Sequence, residues 1–87
     1  MSLRYCFEES KVIRTINTKR TGERIKELQA ESGLSCVQMQ DYFGFNTPQA
    51  IYKWRNGKSM PTIDNLVILA HIFGVKIDDI VVTEGEA

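Results

Sequence analysis

The residues best equipped for chemistry lie between Phe43 and Lys58, in FGFNTPQAIYKWRNGK. Gln49, Tyr52, Lys53 and Asn56 follow the spacing i, i+3, i+4, i+7. On a helix this sets two amides, a phenol and an ammonium group along one face. Ala50, Ile51 and Trp54 form an apolar stripe on the other side. A packed core does not need the basic residues, and a solvated loop does not need the rings. The chemistry on offer is therefore recognition, by an outward face of hydrogen-bonding groups on an inward face that packs. Covalent chemistry has no comparable constellation. His71 is the single histidine, and it is expected on a helix surface. Asp78 and Asp79 diverge by about 100° on a helix, so they read as charges at a helix start rather than a carboxylate pair. Cys6 and Cys36 have no CxxC or Cys/His spacing and are expected as free thiols. No glycine-rich phosphate loop is present. The sequence thus points away from an enzyme, a metal site and any cofactor.

The elements that must position this face can be read from caps and periodicity. KVIRTIN alternates β-branched residues, which predicts a short extended segment in residues 1–17, either an arm or a strand that needs a partner. A helix is expected from a Thr18 cap to Gly33, with Thr21, Ile25 and Leu28 on its buried face. Gly22 interrupts that helix at a cost of about 1 kcal/mol, and marks a close approach near its first turn. Ser35 caps a short second helix, Cys36 to Phe43, ended by Gly44. Thr47 then caps the helix that carries the recognition face, with Pro48 at its first position. Thr62 caps a fourth helix to Phe73, with Ile63, Leu66, Val67, Ala70 and Phe73 as its inward stripe. Lys76 to Val82 is expected as a fifth helix, and residues 83–87 as a flexible tail.

The chain has 87 residues, which suits one small domain. No apolar run approaches the roughly 20 residues that span a bilayer, and no signal-peptide apolar region is seen, so a cytoplasmic location is expected. The net charge is zero, but it is polar along the chain. Residues 1–58 carry ten Lys/Arg against six Asp/Glu, a balance of +4. Residues 59–87 carry one against five, a balance of −4. One side can therefore face a phosphate backbone while the sum stays neutral.

Residues 21–82 resemble the Cro/CI-type helix-turn-helix (XRE) family of phage and bacterial regulators. The resemblance rests on TGERIKELQAESGLS, the Phe-Gly turn, Ile-x-x-Trp in IYKWRNGK, and the following Pro, apolar helix and short closing helix. It implies an all-α, compact five-helix lambda-repressor-like DNA-binding domain at residues 18–82, preceded by the extended segment. It implies sequence-specific binding of double-stranded DNA as a transcriptional regulator, read here as a repressor on a palindromic operator. The helix over 47–56 would lie in the major groove. Gln49, Ala50, Tyr52 and Lys53 would meet bases; Ser35, Thr47, Arg55, Asn56 and Lys58 would meet the backbone. A glutamine amide can pair with adenine N6 and N7. Arg14, Lys19 and Arg20 are read either as a basic arm along the phosphates or as solubilising charges. The apolar excess of helices 4 and 5 points to a homodimer through them, unless Val12, Ile13 and Ile16 fold back to cover it. The alternatives are the antitoxin of a toxin–antitoxin pair, and a protein-interaction module of the same fold. Three departures stand out. Cys36 replaces the family's phosphate-contacting glutamine, Gln40 replaces a small alanine, and the interval from Gly44 to Trp54 is one residue longer. We expect the last two to be coupled, the wider turn making room for Gln40.

Overall fold

The computed structural model describes residues 14–85; residues 1–13, with Cys6, Val12 and Ile13, and residues 86–87 lie outside it. The order is β1 (Arg14–Ile16), α1 (Thr18–Ser32), α2 (Cys36–Phe43), α3 (Gln49–Arg55), α4 (Ile63–Phe73), α5 (Ile77–Ile80) and β2 (Thr83–Gly85). The five expected helices are present, and a two-stranded ribbon joins them.

The ribbon corrects two expectations. Residues 83–85 are not a flexible tail: they pair antiparallel with β1, with Arg14 opposite Gly85 and Ile16 opposite Thr83. The last helix stops at Ile80 because Val81 is already extended, with φ −81° and ψ 125°. Consecutive β-branched residues favour that change. Three side chains of α1 and its cap then hold the C-terminal segment. Thr21 is buried, and its Oγ1 accepts from the Val82 N–H at 2.9 Å. Arg24 Nε donates to the Asp79 carbonyl at 2.8 Å. The Asn17 N–H donates to the Val82 carbonyl at 2.8 Å, and its Nδ2 to Glu84 at 3.2 Å. These ties make Asn17, rather than Thr18, the N-cap of α1: its Oδ1 accepts from the Arg20 N–H at 2.9 Å. Lys19 and Arg20 consequently belong to the first turn of α1 and not to an arm.

Caps account for the other boundaries. Ser35 Oγ accepts from the Gln38 N–H while Gln38 Oε1 accepts from the Ser35 N–H, closing a capping box on α2. Thr62 caps α4, and α1, α2 and α4 each end on a left-handed glycine. Asp79 accepts from the Lys76 N–H at the start of α5.

The core draws on every helix: Ile25, Leu28, Cys36, Met39, Ile51, Trp54, Leu66, Leu69 and Ile80. On α4 the buried side is centred on Leu66 and Leu69, whereas Ile63 and Val67 are 69% and 52% exposed. The expected inward stripe was therefore rotated. Asp64 and His71, seven residues apart and both exposed, mark the outward side, and Val67 lies next to them on it. No described helix is long and apolar enough to cross a membrane.

Candidate nucleic-acid interface

α3 has seven residues, too few to persist as a helix by itself. Its position comes from what it packs against. Ile51 is fully buried and Trp54 nearly so. Phe43 and Phe45, on either side of the turn, stack at 5.1 Å between ring centroids, and both meet Trp54 edge-on, at 5.3 and 6.0 Å. These three rings lock the end of α2, the turn and α3 into one unit. That is the use of the rings among the basic residues.

Two glycines let α3 lie close against α1. A Cβ on Gly22 would meet the Trp54 carbonyl oxygen and come within 2.7 Å of the Arg55 carbonyl oxygen. The last turn of α3 therefore rests on the bare backbone of α1. Just beyond, Gly57 has φ +74° and lies where a Cβ would stand 2.8 Å from Lys19 Cα. The close approach marked by Gly22 is thus a contact with the end of α3 itself.

Gln40 holds the turn. It is half-buried, its Nε2 donates to the Phe45 carbonyl at 3.0 Å, and its own carbonyl accepts from the Phe45 N–H at 3.2 Å. A small side chain could not make the first of these bonds. Gln40 thus packs into the turn instead of pointing to solvent. Gln40→Ala should cost about 1–2 kcal/mol in chemical denaturation, since it leaves the Phe45 carbonyl short of a partner.

On the outward side, Gln49, Tyr52, Lys53 and Asn56 are all exposed, Tyr52 by 44%. Ser35, Thr47 and Lys58 are exposed as well. The helix starts one residue later than expected: Pro48 occupies the N-cap position, and Thr47 Oγ1 lies 3.5 Å from the Gln49 N–H. Thr47 therefore supports the first turn only weakly. Ser35 has its hydroxyl and N–H engaged in the capping box. Two residues turn inward. Ala50 is half-buried against the core. Arg55 is half-buried, and its Nη1 donates to Cys36 Sγ at 3.3 Å.

Sequence reasoning missed the group around Cys36. Gln29 Nε2 donates to the Leu34 carbonyl at 3.0 Å and lies 3.5 Å from the same sulfur. Gln29 Oε1 and Arg55 Nε are buried without a partner. The available signal was the place of Arg55, next to Trp54 at the border of the apolar stripe.

Comparison with known proteins agrees with this architecture. A family model described as helix-turn-helix (HTH_3) matches residues 25–80. The crystal structure of the DNA-binding domain of BldD is similar in fold, with a TM-score of 0.64 at 18% identity, covering 76% of this chain and 94% of that one. No curated protein matches. With α2 and α3 as its motif pair and α1, α4 and α5 as their support, the chain belongs to the Cro/CI-type (HTH_3) helix-turn-helix family and has its lambda-repressor-like fold.

Proposed function

We propose that the chain binds double-stranded DNA sequence-specifically as a transcriptional regulator, acting as a repressor in the cytoplasm, with α3 in the major groove. One observation carries this: Gln49, Tyr52, Lys53 and Asn56 are exposed together on a helix whose other side is anchored by Ile51 and Trp54. Gln49 and Lys53 present an amide and an ammonium group suited to base edges, and Tyr52 a ring and hydroxyl. Ala50 offers the margin of its methyl group to a thymine methyl. Thr47, Asn56, Lys58 and the first turn of α2 at Ser35 meet phosphates. Selection from fragmented genomic DNA by the purified protein should enrich a palindromic site. Its affinity should fall steeply with salt. Binding that is absent or indifferent to salt would favour a protein-interaction module instead.

The operator is occupied by a homodimer through α4 and α5. Ile63 and Val67, one turn apart and exposed, support a self-complementary apolar contact there. The exposed Val67→Asp variant should keep its helical content. It should raise the dimer dissociation constant by about tenfold or more, measured by sedimentation over a dilution series. A native protein that stays monomeric throughout the micromolar range would contradict the dimer.

A further inference from the structure

The outward side of α4 carries a pattern that its packing does not use. Ile63, Asp64, Val67 and His71 are all exposed, while Leu66 and Leu69 on the other side are buried. At about 100° per residue, Asp64 and His71 stand about 60° and about 40° to one flank of Val67. Ile63 and the half-buried Ala70 stand about 40° and about 60° to the other flank. At about 1.5 Å of rise per residue, Asp64 lies about 4.5 Å before Val67 and His71 about 6 Å after it. One flank therefore holds a carboxylate and an imidazole, the other apolar groups, each set nearly balanced about Val67. Asp64 and His71 are about 10.5 Å apart along their own helix, too far to pair within it. Among the described residues the ion pairs are Arg20–Glu23 and Arg24–Glu27, so neither group is engaged in one.

This balance is what a two-fold axis needs. In an isologous contact, if residue i of one copy meets residue j of the other, j also meets i. Were two copies of α4 to run parallel, Asp64 would face the partner's Asp64, and His71 the partner's His71. Antiparallel helices with the axis crossing close to Val67 bring each flank against its own image, reversed in direction. Val67 then meets the partner's Val67. Asp64 falls beside the partner's His71, only about 1.5 Å out of step along the axis. Ile63 falls beside the partner's Ala70, whose small side chain leaves room for it. The result is an apolar seam flanked by two carboxylate–imidazole pairs.

We propose that a second copy of the chain docks antiparallel on α4 about a two-fold axis near Val67, with Asp64 of each copy bonded to His71 of the other. This inference rests on the homodimer proposed above and gives it a direction and a register. An imidazole N–H donates to a carboxylate whether or not the ring is charged. Exposed pairs of this kind add little affinity each. Their effect is to select the arrangement, because parallel docking sets carboxylate against carboxylate. The seam through Ile63 and Val67, 69% and 52% exposed in the single chain, supplies the apolar burial.

The test is a charge exchange, read by sedimentation of the full chain over a dilution series. His71→Glu sets carboxylate against carboxylate twice in each dimer and should raise the dissociation constant about tenfold. Asp64→Lys sets an ammonium group against the imidazole and should raise it about threefold. Asp64→Lys/His71→Glu rebuilds both pairs with the charges exchanged and should return to within about threefold of native protein. Asp64 is in the first turn of α4 and His71 in the last, so both substitutions oppose the helix dipole. Lost stability alone would therefore make the double variant the weakest dimer; contact between copies restores it. Single variants that dimerise like native protein, or a double variant as weak as the two singles combined, would overturn this register while leaving the homodimer standing. Native protein that stays monomeric throughout the micromolar range would overturn the homodimer, and this inference with it.

Discussion

Gly22→Ala should lose at least about 3 kcal/mol of stability and lower the melting temperature by more than about 12 °C. Helix propensity predicts the opposite sign, because alanine gains about 1 kcal/mol over glycine inside a helix. The contact decides against propensity. The new methyl group would meet two backbone carbonyls, of Trp54 and Arg55, which cannot swing aside as a flexible side chain can. α1 and α3 would have to separate, loosening Ile51 and Trp54 in the core. Gly33→Ala makes the control. Nothing lies within 4 Å of that position, so only its left-handed φ of 77° matters, at about 1–2 kcal/mol. Thermal melts followed by circular dichroism would compare the two. A Gly22→Ala protein as stable as native would mean that α3 does not rest on α1 in this way.

Specific DNA affinity should depend most on Gln49. Losing a bidentate amide–base pair costs about 1–3 kcal/mol, a fall of about 5- to 150-fold in affinity for each half-site of the selected sequence. Affinity for unrelated DNA should hardly change, because the amide carries no charge to lose. Lys58→Ala should behave differently. It should weaken specific and non-specific binding alike and lower the salt slope by about 0.9 per half-site, about 1.8 for the dimer. Fluorescence anisotropy on the selected and a scrambled duplex would separate these patterns. Both side chains are exposed, so neither substitution should disturb the fold.

The parts of this molecule that were legible in its sequence are those fixed by local chemistry. Ser35 and Thr62 can cap by themselves, and glycine after α1, α2 and α4 ends each helix, so those boundaries were found. The face of α3 was found because Ile51 and Trp54 contrast with Gln49, Tyr52 and Lys53. Most of what escaped depended on distant partners. Asn17 outranks Thr18 as a cap because it also bonds Val82 and Glu84, more than sixty residues away. β2 resembles a polar tail until β1 lies beside it. On α4 the stripe through Ile63 and Val67 was misplaced, although Asp64 and His71 share the exposed side and lie opposite Leu66 and Leu69. Arg55 resembles any basic residue at a helix end; only the fold brings Cys36 to it.

The central claim is that the outward face of α3 reads bases. The most direct measurement repeats the genomic selection with Gln49→Ala/Lys53→Ala in parallel with native protein, at the same moderate salt. Native protein should enrich a palindromic motif that is lost in the double variant, which should retain native helical content and weak, salt-dependent binding. An identical motif enriched by both proteins would contradict it, because the face built from Gln49 and Lys53 would then not be the one that reads DNA.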